Sequence, residues 1–175
     1  MLEAAISVGA DVPFFLRTGK RLPRRATEIA IQFKQPPLRL FKESASEPEP
    51  NLLAMRIQPD EGILLRFQAK QPGPEISLDA VEMRFYYKDA FNIQQPEAYE
   101  TLLLDVFRGD QTLFMRADQI EASWSATMPV LEAWESRAPT GFPNYPAGTW
   151  GPATADLLIE EDGRQWITPT LRAED

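Results

Sequence analysis

Apolar and polar positions alternate singly through the first half of the chain and fall into three-and-four spacing through the second. Val12-Pro-Phe-Phe-Leu16 is an apolar run that leads into Thr18-Gly19-Lys20, as a strand ending at a glycine turn does. In Glu28-Ile-Ala-Ile-Gln-Phe33, Ile29, Ile31 and Phe33 alternate with Ala30, Gln32 and Lys34, which predicts a half-buried strand. Pro36-Pro37 ends it, and Lys42-Glu-Ser-Ala-Ser-Glu-Pro-Glu-Pro50 reads as an exposed loop. Strands are expected over 52–58 and 63–69, joined as a hairpin by Pro59-Asp60-Glu61-Gly62. Leu53, Met55 and Ile57 share one face with Ile63, Leu65 and Phe67, and Arg56, Gln58, Arg66 and Gln68 lie opposite. Gln71-Pro-Gly-Pro74 is a turn. The extended stretch 76–87 changes parity midway, from Ile76, Leu78 and Ala80 to Val81, Met83 and Phe85. A β-bulge near Asp79–Val81 or a short loop splitting two strands accounts for the change equally well.

Helical spacing begins at Pro96, a residue suited to a first turn. Tyr99, Leu102, Leu103, Val106 and Phe107 form an apolar stripe, and Gly109 stops the helix. Asp118 and Glu121 predict an N-cap and capping-box partner for a second helix. Its stripe comprises Ile120, Trp124, Leu131 and Trp134, and Pro129 either kinks it or ends its first portion. Residues 139–152 are a Pro/Gly-rich loop, Ala153–Glu160 a short helix, and 164–167 a last strand. Strands segregated from helices predict an α+β fold, a sheet with helices packed on one face.

Composition narrows the function. A chain of 175 residues with 43% apolar content can bury one good core and is expected to be one domain. The formal charge of −8 argues against nucleic acid, which needs positive charge over a long footprint. No apolar run reaches the length of a membrane-crossing helix, and no signal-peptide pattern opens the chain, so no membrane partner is expected. Cysteine is absent, which excludes disulfides and thiolate chemistry and fits a cytoplasmic location. Histidine is absent too, which rules out Ser-His-Asp and Cys-His mechanisms within the chain. No G-x-G-x-x-G or G-x-x-x-x-G-K-[ST] occurs, so neither common nucleotide-binding turn is present. No metal site is expected. The common parts of a complete catalytic centre are missing.

One feature stands against the acidic whole. Arg17, Lys20, Arg21, Arg24 and Arg25 fall within nine residues. Residues 11–42 carry a local balance of +6, which leaves −14 for the rest. Such an island raises the potential locally, and a small anion is its natural partner. By themselves Lys20 and Arg25 read as solvated turn residues, Gln58 as an exposed strand residue and Asp60-Glu61 as a plain turn.

Val12-Pro-Phe-Phe-Leu-Arg-Thr-Gly-Lys-Arg-Leu22 resembles a hallmark of the glucose-6-phosphate dehydrogenase family, at the start of its C-terminal portion. The likeness continues in order through Arg56-Ile-Gln-Pro-Asp-Glu-Gly62, Lys70-Gln-Pro-Gly73 and Pro96-Glu-Ala-Tyr-Glu-Thr-Leu-Leu-Leu-Asp105. It then passes through Gly109-Asp-Gln-Thr-Leu-Phe114, Trp124, Trp134 and Tyr145-Pro-Ala-Gly-Thr-Trp-Gly-Pro152. Residues 12–175 are thus expected to be an incomplete C-terminal domain. Residues 1–11 do not resemble the family's lead-in, so the chain is expected to be truncated, or fused to something else, on that side.

The resemblance implies a large, mostly antiparallel sheet that also supplies a homodimer interface. It implies an enzyme that oxidises glucose 6-phosphate to 6-phosphogluconolactone with NADP, or NAD in some members, in the pentose phosphate pathway. NADP is then held mainly by an N-terminal dinucleotide-binding domain absent here, and the histidine base with its orienting aspartate also lies upstream. Carried over by position, Lys20 matches a substrate-binding lysine, Arg25 a second cationic substrate contact, and Gln58 a sugar-phosphate contact in some members. An ammonium is a compact charge with three donors, a guanidinium a planar fork for phosphate oxygens, and an amide both donor and acceptor. Arg17, Arg56, Arg66 and Trp166 match parts of a second, structural NADP site found in some eukaryotic members. Ala26, Ala30 and Leu64 stand where that site has two cations and an aromatic ring, so its absence is expected, with Arg17 and Arg56 structural and the tryptophans in the core.

Two classes of function remain: the substrate-binding and dimerisation portion of the dehydrogenase, or a non-catalytic interaction or regulatory sheet domain derived from it. Retention of Lys20, Arg25 and Gln58 together favours the first. The missing N-terminal half is then a possible partner, and the isolated chain is expected to be inactive.

Overall fold

The computed structural model describes residues 2–8, 12–35, 49–92, 98–138 and 141–169. Most of the expected loop at 42–50, and Pro96, lie outside them. Six strands precede four helices, so the α+β class stands: β1 (Leu2–Val8), β2 (Val12–Thr18), β3 (Thr27–Gln32), β4 (Leu52–Gln58), β5 (Gly62–Lys70), β6 (Leu78–Tyr86), α1 (Tyr87–Phe91), α2 (Ala98–Arg108), α3 (Ala117–Glu135) and α4 (Ala153–Glu160). The chain forms two compact units. One comprises 1–24 and 96–166, the other 25–95 and 167–175.

In the second unit, β3-β4-β5-β6 form an antiparallel sheet in sequence order. The hairpin pairs Leu53 with Leu65 and Met55 with Ile63, and the same rungs run on to Ile31 and Ile29 in β3 and to Met83 and Phe85 in β6. One face is therefore apolar from edge to edge. The other carries Arg56, Arg66, Gln68, Glu82 and Arg84, with the buried Leu52, Ala54 and Leu64 among them. This reverses the expectation for β3. Ile29 is 50% exposed and Met83 62%, while the deepest side chains sit on the mixed face.

β6 pairs with β5 without a register break from Lys70↔Leu78 to Gly62↔Tyr86, so there is neither a bulge nor a split strand. Leu78 and Ala80 lie on the polar face, and β6 starts two residues after Ile76. The irregularity lies instead between Thr27 and Glu28, where Gln58 stands opposite Thr27 and Arg56 opposite Glu28. α1 folds back beside β6, with Phe85 edge-on to both Tyr87 and Phe91.

In the first unit, β1 and β2 form an antiparallel ribbon. β1 was not expected, because the resemblance starts only at Val12. α2 ends at Gly109, whose φ of +70° lets the Asp110 N–H reach the Asp105 carbonyl at 2.9 Å. α3 starts one turn-position earlier than the Asp118 cap predicted. Its N-cap is Arg116, whose N–H donates to Gln119 Oε1 at 3.3 Å. Asp118 lies in the first turn, accepting from the Arg116 guanidinium at 2.8 and 3.0 Å, where a carboxylate also suits the helix dipole. α3 runs through Pro129. α3 buries no residue, so Trp124 and Trp134 are exposed rather than core. α4 buries Ala155 and Ile159, four apart on one face. Residues 164–167 form no strand: the Trp166 indole N–H donates to the Ala155 carbonyl at 2.9 Å and ties this stretch to α4.

Candidate functional site

The basic island is split between the two units, whose boundary falls between Arg24 and Arg25. Lys20 belongs to the first, Arg25 and Gln58 to the second.

Lys20 follows β2 in the turn begun by Thr18-Gly19. Its backbone is held by a loop 125 residues further on: the Tyr145 hydroxyl donates to the Lys20 carbonyl at 2.5 Å. Next to it the Gly148 N–H donates to the Arg21 carbonyl at 2.9 Å. Arg21 has φ +54°, a left-handed conformation that a residue with a Cβ adopts at a cost. The Lys20 side chain is exposed, and among the described residues its ammonium has no hydrogen-bond or ion-pair partner. A pinned backbone beneath an uncommitted ammonium suits a site for an anion from solution.

The neighbouring cations are not equivalent to it. Arg17 leaves β2 with its guanidinium 4.0 Å above the Trp166 ring and Nη2 3.0 Å from Asp156 Oδ1. Phe15 meets the edge of the same indole at 6.1 Å. Arg24 lies 5.9 Å over the Trp150 ring. Arg17 is structural, as the sequence suggested, and Trp166 carries an internal cation on one face and spends its N–H on α4.

In the second unit, Arg25 lies two residues before β3 and Gln58 closes β4. The antiparallel rung Thr27↔Gln58 brings these residues, 33 positions apart, to one end of the sheet. There Arg25 Nη2 donates to Gln58 Oε1 at 3.5 Å. That is a long contact between two exposed groups, and a phosphate or a sugar hydroxyl can displace it. The register shift at Thr27/Glu28 sits beside it, and such irregularities re-aim side chains at strand ends.

The rest of the polar face is neutralised internally. Arg56 pairs with Glu28 at 3.9 Å and lies 6.0 Å from the Tyr86 ring. Arg66 reaches Glu82 at 3.0 Å and Glu49 at 3.8 Å. Arg84 meets Glu82 at 2.5 Å. Together, the Arg84 and Arg66 hydrogen bonds hold the Glu82 carboxyl below the ordinary value of 4.5. With Arg17, Arg56 and Arg66 committed to carboxylates, and Ala26, Ala30 and Leu64 adding no charge or ring, these residues do not fit a second nucleotide. The sequence has no glycine-rich turn to hold a first one either. Among the described residues no cluster of three metal-ligating side chains exists, and no helix is long and apolar enough to cross a membrane.

Sequence reasoning thus named three side chains, of which the fold brings two together and leaves the third exposed on a pinned turn. It missed Tyr145 and Gly148, although the Tyr145-Pro-Ala-Gly148 motif had been noted for resemblance alone.

Comparison with known proteins gives these residues their context. The family model for the glucose-6-phosphate dehydrogenase C-terminal domain matches residues 8–167. A glucose-6-phosphate 1-dehydrogenase of Chlamydia pneumoniae is 50% identical over 158 residues, 89% of this chain and 31% of that protein. One from Mycolicibacterium smegmatis is 49% identical over 159 residues, 90% of this chain and 32% of that protein. The crystal structure of the Mycobacterium avium glucose-6-phosphate 1-dehydrogenase superposes with a TM-score of 0.75 at 34% identity, covering 98% of this chain and 35% of that one. A glucose-6-phosphate dehydrogenase solved with its substrate glucose 6-phosphate gives 0.74 at 32% identity, covering 90% of this chain and 32% of that one. The chain spans about a third of the length of the curated relatives it matches.

Proposed function

The chain belongs to the glucose-6-phosphate dehydrogenase C-terminal domain family, and on that premise we propose that it is the substrate-binding and dimerisation portion of an enzyme oxidising glucose 6-phosphate to 6-phosphogluconolactone. The observation that carries this reading is the meeting of Arg25 and Gln58. Two residues that the resemblance matches to substrate contacts, far apart in sequence, meet at one sheet end through a single long, replaceable hydrogen bond. Lys20 adds an ammonium with no competing carboxylate among the described residues.

In this reading the chain's contribution is binding and orientation. Lys20 and Arg25 supply charge-assisted hydrogen bonds to phosphate oxygens, and Gln58 donates to or accepts from the sugar. Held at one end, the sugar presents its C1 hydroxyl to a base that this histidine-free chain does not contain. NADP, which the family's N-terminal domain would hold, would supply the hydride acceptor. Homodimer formation uses the sheet's polar face, and the enzyme is placed in the cytoplasm.

The test mixes the purified chain with the N-terminal portion of a glucose-6-phosphate dehydrogenase and follows NADPH absorbance. The chain alone should give no glucose 6-phosphate-dependent rise, and the mixture should. Turnover by the pure chain would overturn the division of labour. A mixture that forms a complex without activity would favour the interaction-domain alternative.

A further inference from the structure

Lys20 projects from the turn that follows β2. The turn is gripped from one side by residues 145–150. The Tyr145 hydroxyl takes the Lys20 carbonyl, the Gly148 N–H takes the Arg21 carbonyl, and the Trp150 ring lies beneath the Arg24 guanidinium. Three contacts of different chemistry thus fall on three of five consecutive residues, all within one compact unit. The first two meet the backbone, so they set where the chain runs without engaging the side chains that bind. Gly148 lies at φ +82°, where a side chain is strained, which explains the residue type at that point of the loop. Because the Lys20 ammonium has no partner among the described residues, the path of its backbone sets the region that its flexible side chain can reach.

We propose that residues 145–150 are a clasp that positions the Lys20 ammonium for its anion, with Tyr145 and Gly148 as positioning residues. This rests on the reading of Lys20 as a substrate contact. The clasp limits the turn to one path, so the lysine meets a phosphate without first being ordered by it. Loosening the clasp therefore lowers affinity for the anion while leaving the lysine present and exposed. The hydroxyl-to-carbonyl bond is a neutral one, and its loss corresponds to about a two- to tenfold change in an equilibrium constant.

The experiment uses the full chain and follows trace acetylation of individual lysines by mass spectrometry, with Lys88 on α1 as internal reference. Glucose 6-phosphate and inorganic phosphate serve as protecting probes, and unphosphorylated glucose as the control. In the unaltered chain both phosphates should slow labelling of Lys20 selectively, and glucose should not. Tyr145→Phe should raise the phosphate concentration for half-protection of Lys20 about two- to tenfold, with labelling of Lys88 and the circular dichroism unchanged. Gly148→Ala, which strains the second contact, should shift Lys20 in the same direction and decides the matter if Tyr145→Phe does not fold. Protection at the same concentration in both variants would overturn the clasp while keeping Lys20 as an anion contact. A joint change at Lys20 and Lys88 would show loss of folding instead of positioning, and would overturn it too. No phosphate protection in the unaltered chain would overturn both the clasp and the substrate reading.

Discussion

At the scale of single residues, the five clustered cations differ in what they touch, and this decides what their loss should do. Lys20 and Arg25 are exposed and lightly committed, whereas Arg17 and Arg24 pack on tryptophans. In the reconstituted enzyme, Lys20→Ala and Arg25→Ala should each lower kcat/KM for glucose 6-phosphate about ten- to a hundredfold, the equivalent of a hydrogen bond to a charged group. The loss should appear in KM if ground and transition states are held equally. Arg21→Ala is the suitable control, since Arg21 contributes to the turn through its carbonyl. Arg24 is a poor control because its guanidinium lies over Trp150. Equal, salt-sensitive losses from Lys20, Arg21 and Arg25 would reduce the island to a steering field. Arg17→Ala should act on stability instead: losing the stack on Trp166 and the bond to Asp156 should cost about 1–3 kcal/mol by urea unfolding. Residue types and clustering were legible in the sequence. Partnership was not, because Asp156 lies 139 residues from Arg17 and Trp166 further still, and no local pattern announces such a pair.

At the scale of elements, an apolar run was enough to place β2, alternation to place β3 and the β4–β5 hairpin, and three-and-four spacing to place α2. Such patterns failed where a local cue had two readings. In β6 the parity change falls inside one unbroken strand: Leu78 and Ala80 lie on the polar face beside the paired Glu82 and Arg84, and Val81, Met83 and Phe85 on the apolar one. At α3 the side chain of Gln119 outcompeted the expected Asp118–Glu121 box, since Asp118 was drawn to the Arg116 guanidinium. Two consequences of the sheet can be measured. Gly62 is buried opposite Arg56 and Tyr86, and a Cβ there would meet the Phe85 carbonyl oxygen at 2.6 Å and Tyr86 Cδ1 at 2.9 Å. Gly62→Ala should therefore destabilise the second unit by about 1–3 kcal/mol through overpacking, read by denaturant unfolding. The second concerns pH. Glu82 has its folded pKa depressed, chiefly by the Arg84 hydrogen bond, and Asp110 likewise by the Thr112 hydroxyl and N–H. A depressed carboxyl contributes stability that is fully present above its unfolded value and lost as pH falls through the lower folded value. Unfolding midpoints should thus fall on acidification below about pH 4 to 4.5, and Glu82→Gln should flatten part of that fall. An unchanged slope in the variant would show that the Glu82 pairs contribute nothing to folding.

At the scale of the whole molecule, the two faces of the four-stranded sheet set up different kinds of association. The polar face has its charges matched within the chain: Arg56 with Glu28, and Arg66 and Arg84 with Glu82. The apolar face, running from Ile29 and Ile31 through Ile57 and Ile63 to Met83 and Phe85, leaves each of these side chains between 38% and 62% exposed. Alternation made this face legible as apolar, but burial depends on what covers it, which no local alternation of residues encodes. Continuous apolar surface of this kind drives association in water, at roughly 25 cal/mol per Å² removed. The isolated chain should therefore self-associate through its apolar face before the polar-face dimer expected of the whole enzyme can be seen. Sedimentation over a concentration series should show mass rising with concentration, and the chain should enhance the fluorescence of an apolar dye. Met83→Lys, placed at the most exposed point of that face, should shift the distribution toward smaller species and weaken the dye signal. It should not alter the circular dichroism, because Met83 is too exposed to support the fold. Arg66→Ala, on the other face, should leave this self-association unchanged. If instead Arg66→Ala dissolves the assembly and Met83→Lys does not, the polar face already pairs in the isolated chain. Its internally matched ion pairs would then have to open and re-pair across a two-fold axis, and the association should weaken steeply with added salt, as apolar burial does not.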